Sequence, residues 1–345
     1  MAELWQVLFL CRTGSTGEVV IGNFSEINMK RTKILYGVVL SLFIICWSSA
    51  NDDLEALKKV MGEIKGVKLE HKTTMVEAKE NIPPRQNDQW NYSTGIKTLT
   101  INYSRFLNQP PHFSGRYPSL ANSDMGVGFD GGSFGNWYRG NAIRVLVDGV
   151  DVMAEKPADE IEAGEGDRGY LRMVWALDKG GKIVLNFIVP EGGSGIYCRV
   201  DVVSGENVIK NIGVRLSCYP GGFAPAYGLP SHRYVVTAKG EWEVPKEQKG
   251  DFPVLPLDSG TDWIFYGDKL QSKGALGLLF DNKGLTSGRV RMSSYGQFTE
   301  LDYPADIKSI YLAFYAFETD NSAAMELFKS SLNRENNKLK EIHKK

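Results

Sequence analysis

The sequence predicts a mostly-β fold: a large antiparallel β-sandwich with short N- and C-terminal helices. Three observations carry this. Strand-like runs recur roughly every 8–12 residues from Ile96 onward. Glycine-containing turns separate them. Almost no helical periodicity lies between them, which argues against a parallel α/β sheet. With 42% hydrophobic residues in 345, the chain can bury a core without covalent staples.

Residues 1–28 come first and are expected to be a non-native extension, because a second start signal follows them. Met29-Lys30-Arg31-Thr32-Lys33 is a short basic head, and Ile34 to Trp47 is an apolar run. Ser48-Ser49-Ala50 supply the small residues that signal peptidase reads, and Asn51-Asp52-Asp53 open a polar chain. This is the layout of a secretory signal peptide over 29–50. It predicts a start at Met29, a mature chain from Asn51 and a secreted or periplasmic protein. The other reading is a transmembrane anchor at 34–47, but a spanning helix wants roughly 20 apolar residues. Membrane contact is therefore expected only through this segment, if it stays uncleaved. Ile45 opposes a lipoprotein reading of Cys46.

Residues 51–95 read as a helix and a connector. Leu54, Leu57, Val60, Met61 and Ile64 fall at helical spacing within 52–64. Residues 81–91 (NIPPRQNDQWN) are polar and contain proline. The β-sandwich domain is predicted over 96–320. Ile96–Tyr103 is its first clear strand. Asp148-Gly149 sits between apolar runs in Ala142–Val152, a hairpin signature because this pair accepts the positive φ of a tight turn. Tyr170–Leu177 and Lys182–Val189 flank Asp178-Lys179-Gly180-Gly181 as a second hairpin. Ile196–Val203 and Val208–Cys218 are read as a third, and Tyr234–Thr237 with Glu241–Val244 as a fourth. Asp262–Tyr266, Ala275–Phe280, Gly288–Met292, Gln297–Tyr303 and Ser309–Phe317 complete the strands. Residues 321–345 read as a helix whose last dozen residues form a charged, solvated tail.

Charge and cysteines bound the function. The leader's four basic and three acidic residues, taken from totals of 40 and 41, leave 36 and 38 in the mature chain, a net of −2. That excludes the basic field a nucleic-acid partner wants. Cys198 and Cys218 alone survive in the mature chain. On neighbouring predicted strands in an oxidising compartment they are a disulfide candidate, given a register that brings their Cα atoms within roughly 7 Å. Two buried free thiols are the alternative. There is no metal-type Cys/His spacing, and neither a metal nor a cofactor is expected.

Candidate chemistry is sparse. His71 lies near the N-terminal helix and His343 in the charged tail. His112 lies in a loop of proline, aromatic and basic residues that includes Arg116 and Tyr117. His232 enters a strand from a proline-containing loop. Imidazole titrates near neutral pH, so either could serve as an acid or base, or simply bond to backbone. Ser231-His232 is no triad, since neighbours on a strand point to opposite faces. The glycine-rich stretch Gly126–Gly140 lacks a P-loop ending. Its Asp130, Asn136, Trp137, Tyr138 and Arg139 suit a sugar, with aromatic rings for sugar faces and polar groups for hydroxyls. Trp137 could equally anchor the loop to the core. Trp263 and Phe265 alternate with Ile264 and Tyr266, so both faces of that strand are apolar and it reads as central and covered. Glu300, an acid inside a predicted strand, is the best single candidate for a base, although a solvent-facing position explains it as well. Asp281-Asn282-Lys283-Gly284 lacks the later ligands of a calcium loop and reads as a turn.

The body from about 96 to 318 resembles the supersandwich-like β-sandwiches of the galactose-mutarotase-like superfamily. These occur in sugar epimerases and in the β domains of polysaccharide lyases and glycoside hydrolases. The long strands, the segment Ile196–Gly222 with its Asn211-Ile212-Gly213, and the loop-borne His112 and His232 carry the resemblance. The chain is also similar to exported proteins of polysaccharide-degrading bacteria. The resemblance implies a carbohydrate partner. For the epimerases it implies a histidine pair and a glutamate, which here would be His112, His232 and Glu300. Three functions follow as expectations. The first is an exported carbohydrate-binding protein using Arg116, Tyr117, Trp137, Tyr138 and Arg139. The second is an epimerase, lyase or hydrolase using the His/His/Glu set. The third is an envelope protein that docks partners through its terminal helices.

Overall fold

The computed structural model describes residues 66–77, 84–107, 126–130, 136–137, 141–205, 209–221, 232–243, 254–258, 260–293 and 296–344. They belong to one compact unit, Ile64–Lys345. The extension 1–28, the signal 29–50 and the helix expected over 52–64 lie outside the described residues.

In chain order the first strands are β1 (Lys68–Val76), β2 (Arg85–Ser93), β3 (Thr98–Phe106), β4 (Gly126–Asp130), β5 (Asn136–Trp137), β6 (Ile143–Val147) and β7 (Val150–Asp151). A single helical turn, α1 (Val152–Glu155), follows. Then come β8 (Glu160–Gly164), β9 (Arg168–Ala176), β10 (Lys182–Pro190), β11 (Gly195–Val203), β12 (Asn211–Tyr219), β13 (Arg233–Thr237) and β14 (Gly240–Glu243). The last strands are β15 (Val254–Leu257), β16 (Trp263–Asp268), β17 (Leu276–Phe280), β18 (Ser287–Met292), β19 (Gln297–Pro304) and β20 (Ser309–Ala316), before helix α2 (Asn321–Glu341).

Two antiparallel sheets form a β-sandwich. The larger, 11-stranded sheet runs β1-β2-β3-β4-β5-β12-β19-β18-β15, with β6 and β7 attached beside β4 and β12; the other, 9-stranded sheet runs β14-β13-β16-β17-β20-β11-β10-β9-β8. Strand alternation sends one face of each sheet into a shared core. Phe129 and Trp137 of the larger sheet meet Phe314 of the smaller with ring centroids 4.5 and 5.0 Å away. The Trp137 indole N–H donates to the Tyr315 carbonyl at 3.1 Å.

Three of the four expected hairpins form, β6–β7, β9–β10 and β13–β14. Asp148 and Gly149 hold φ of 52° and 85° in the turn between β6 and β7. β9 pairs with β10, β13 with β14, β16 with β17 and β18 with β19.

Three readings are corrected. The stretch 81–91, read as connector, enters β2 at Arg85, where Trp90 and Tyr92 point inward and Asn87, Gln89 and Asn91 point outward. Its outward amides masked the alternation. The third hairpin does not form: β11 pairs with β10 and β20, whereas β12 pairs with β5, β6 and β19. Cys198 and Cys218 therefore sit in different sheets, both buried and both free, and the expected disulfide is not formed.

The third correction concerns the C-terminal tail, which is docked. In α2 the buried Asn321, Ala324, Phe328, Glu335 and Leu339 recur at helical spacing. They close the outer side of the smaller sheet in a second apolar cluster with Tyr197, Tyr234, Trp263, Phe265, Leu279 and Tyr315. The Trp263 and Phe265 face is thus covered by the helix, and the Ile264 and Tyr266 face lies in the main core. Gly277 makes room for the helix, since a Cβ there would lie 2.8 Å from the Phe328 ring.

Candidate functional site

Helix α2 covers part of the smaller sheet's outer side, and the outward side of the larger sheet carries polar side chains in register. Register defines a continuous row across it. Asn87 pairs with Ser104, which pairs with Gly126. Val127 pairs with Ile143, which sets Gly126 beside Arg144. Arg144 pairs with Arg215, Arg215 with Glu300, and Glu300 with Arg289. Gln89, Asn91, Thr100 and Asn102 share this side of β2 and β3, because they alternate with the core residues Trp90, Tyr92, Leu99 and Ile101.

One half of the surface is built of amides and hydroxyls. Asn91 Oδ1 accepts from Gln89 Nε2 at 2.8 Å and from Thr100 Oγ1 at 2.7 Å. Asn87 Oδ1 is buried without a hydrogen-bond partner. A buried amide oxygen left so costs on the order of 1–3 kcal/mol.

The other half is an arginine cluster around Glu300. Arg289 donates Nε and Nη2 to Glu300 Oε2 at 2.8 and 2.6 Å, and Arg291 donates Nε to Oε1 at 2.6 Å. Arg215 Nε stands 3.9 Å from Oε2, and its Nη2 reaches Asp302 Oδ1 at 2.7 Å. The Arg215 guanidinium lies over Gly213, where a Cβ would come within 2.9 Å of it. Ser287 Oγ donates to Asp302 Oδ2 at 2.9 Å. Arg144 Nη1 stands 3.5 Å from Asp151, while its Nε is buried without a partner. The Arg291 guanidinium sits 5.5 Å from the centroid of the Phe298 ring. Burial alone would raise the Glu300 carboxyl. The Arg289 hydrogen bond and the charges of Arg291, Arg289 and Arg215 outweigh it, and the net shift is down. A carboxylate held ionised with both oxygens engaged is a poor proton acceptor near neutral pH and a good anchor for guanidinia.

Of the residues singled out from sequence, Glu300 is the one this cluster is built on. Trp137 is only 3% exposed and belongs to the core, so its sugar-stacking role is corrected to the anchoring one. Its side chain alternates inward between Cys218 and Phe129. His112, Arg116, Tyr117, Tyr138 and Arg139 lie outside the described residues, as does the side chain of Asn136. His232 is half-buried just before β13, in the other sheet, and its carbonyl accepts from Lys269 N at 2.9 Å. Among the described residues no hydrogen bond or ion pair joins His232 to Glu300. Asp130 caps β4 on the outward side, paired with Thr100.

Sequence reasoning missed Arg144, Arg215, Arg289, Arg291 and Asp302. One signal was available: Arg289-Val290-Arg291 is charged-apolar-charged, which puts two arginines on one side of a strand. Among the described residues no group of three or more His, Cys, Asp or Glu is placed to hold a metal, and no helix is long and apolar enough to cross a membrane.

A scan against protein-family models gives no match, and no curated protein matches in sequence. Solved structures do match. Alpha-N-acetylgalactosaminidase NagBb from Bifidobacterium bifidum is similar with a TM-score of 0.45 at 7% identity, over 69% of this chain and 38% of that one. A Klebsiella pneumoniae protein assigned as an aldose 1-epimerase is similar with a TM-score of 0.46 at 10% identity, over 76% of this chain and 96% of that one. Heparan sulfate lyase HepC from Pedobacter heparinus gives a TM-score of 0.40 at 12% identity, over 67% and 35% of the two chains. Carbohydrate-active proteins are among these neighbours. The chain spans about 38% of the length of the galactosaminidase.

Proposed function

We propose that this protein binds a poly- or oligosaccharide on the outward side of its larger sheet, as an exported binding protein acting outside the cytoplasm. The observation that carries this is the cross-strand row from Asn87 to Arg289 with the amides beside it. An outward sheet side facing only water commonly carries scattered long charged side chains. Beside its arginine cluster and the Glu70 and Lys72 of β1, this one carries Asn87, Gln89, Asn91, Thr100, Asn102 and Ser104, of which Thr100 and Ser104 are buried and the amides half-buried. Amides both donate and accept, which matches a sugar hydroxyl. The smaller sheet's outer side offers no such surface where α2 lies on it.

No observation favours catalysis to the same degree. The His112, His232 and Glu300 set would need a free base, and Glu300 is engaged by Arg289 and Arg291. Arg116, Tyr117, Tyr138 and Arg139, which lie outside the described residues, are kept in this proposal as further sugar contacts.

The test is depletion of the full chain from solution by a panel of soluble and insoluble polysaccharides. Retention on at least one glycan class is expected, weakened about tenfold by Asn102→Ala. No retention on any member would remove the reading.

A further inference from the structure

We propose that the glycan bound here is acidic, with its carboxylate or sulfate seated between Arg289 and Arg291, whose guanidinia Glu300 holds in place. This rests on the reading that the outward side of the larger sheet takes a carbohydrate.

The two arginines stand at i and i+2 of β18, so they project from one side of the strand about 7 Å apart along it. Each spends only part of its donor set on Glu300. Arg289 commits Nε and Nη2, and Arg291 commits Nε. Among the described residues no acceptor meets Nη1 of Arg289 or either Nη of Arg291. Their side chains are 55% and 40% exposed, while that of Glu300 is 9% exposed, so the donors face solvent and the carboxylate does not. The nearby charges are unbalanced. Four arginines (Arg144, Arg215, Arg289, Arg291) face three acids (Asp151, Glu300, Asp302), and each acid already meets at least one of them.

Guanidinium has donors and no acceptor, so it can use only the acceptor side of a neutral sugar's hydroxyls. Its planar fork fits the two oxygens of a carboxylate or sulfate. Holding both forks against one carboxylate removes their rotamer freedom before the ligand arrives, which lowers the entropy cost of binding. The amides of β2 and β3 share the same side five and six strands away, about 24–29 Å at ~4.8 Å per strand, so a chain of several units is needed to reach from the arginines to Asn102 and Gln89.

The experiment uses the full chain and two matched pairs of glycans: a polyuronate with its carboxyl-reduced counterpart, and a sulfated glycan with its desulfated form. The expected result is that the acidic member of at least one pair binds at least tenfold more tightly, with affinity falling as salt rises. The pair that shows the difference tells carboxylate from sulfate. Arg291→Gln and Arg289→Gln should each cost the acidic ligand about tenfold. Lys182→Gln, a charge removed from the smaller sheet, should leave it unchanged. Equal binding within both pairs, or preference for the neutral members, would overturn the acidic assignment and leave carbohydrate binding standing. A loss in Lys182→Gln matching that in Arg291→Gln would overturn it as unspecific attraction. Failure of all four glycans, together with the wider neutral panel, would overturn both readings.

Discussion

Glu300 shows how far a side chain's surroundings decide its chemistry. Alone on a strand it would titrate as an ordinary carboxylate. Pressed between Arg289 and Arg291, with Arg215 beside them, it is held in its ionised form. Its folded pKa lies below its unfolded one, so the stabilisation is present above about pH 4.5 and lost as pH falls through the folded value. Glu300→Gln should therefore lower the thermal midpoint at pH 7 and flatten its decline in acid. The expected cost at pH 7 is about 1–2 kcal/mol, kept small by solvent around the half-exposed arginines. Parallel acid-side slopes for variant and parent would show that the pair contributes nothing to folding. The thiols offer a second check. Burial pushes both Cys198 and Cys218 well above the ordinary thiol range. Peptide mapping after alkylation should find neither modified in the folded protein and both modified in denaturant. Labelling of either without denaturant would contradict their burial. Glu300 was legible in the sequence as an acid out of place in a strand. Its partners were not, because Arg289 and Arg291 arrive from the neighbouring strand and Arg215 from one 85 positions earlier. Trp137 failed as a sugar platform for a similar reason: which side of a two-residue strand it faces is set by Cys218 and Phe129.

Helix α2 is where element-scale reasoning was most instructive. A helix was legible from its composition, and its solvated tail was not borne out. The charged residues have specific partners supplied by distant strands. Glu335 is buried and accepts from the Tyr315 hydroxyl at 2.9 Å, with the Tyr197 hydroxyl also donating to it. The C-terminal carbonyls of Ile342 and His343 accept from Arg168 and Arg199 at 2.7 and 3.2 Å, as a helix end prefers. His343 rests on the Tyr311 ring with its Nε2 buried and without a partner. Burial, then the charges of Arg199 and Arg168, lower its pKa to about 4. The imidazole is therefore neutral when docked. This contribution is full above about pH 6.5 and is lost as pH falls toward 4. The protection of the last helical turn's amides, corrected for the intrinsic pH dependence of exchange, should fall over that window, and His343→Phe should remove the fall. Identical pH profiles in both proteins would rule out the histidine as its cause. Helix seating has its own test. Phe328→Ala should cost about 3–5 kcal/mol, because the ring is 1% exposed. Leu327→Ala, at 56% exposure, should cost little.

At the scale of the whole molecule, helix α2 covers part of the smaller sheet's outer side, while the larger sheet's outward side carries the amides and the arginine cluster. The β6–β7, β9–β10 and β13–β14 hairpins were legible from short turns with their own residue signatures, whereas the similar signature after Val203 does not pair β11 with β12. How they assemble was not legible, because β12 with β19 and β11 with β20 join strands about a hundred residues apart, and no local pattern encodes the choice. The consequence is that α2 is part of the fold and not a free docking arm. Deleting residues 320–345 would strip the cover from Tyr197, Trp263, Phe265, Leu279 and Tyr315 together. A contiguous apolar area of this kind drives association in water. The truncated chain should aggregate or bind a hydrophobic dye strongly, and its melting transition should move down or disappear. The opposite result, a soluble monomer with an unchanged midpoint, would mean that the sandwich stands without the helix. Arg291→Gln is the complementary change. It removes one donor from Glu300 on the larger sheet's outward side, so it should lower the transition only slightly, far less than the truncation, while weakening the ligand. If both changes shifted stability equally, the division into a structural side under the helix and the proposed binding side would fail.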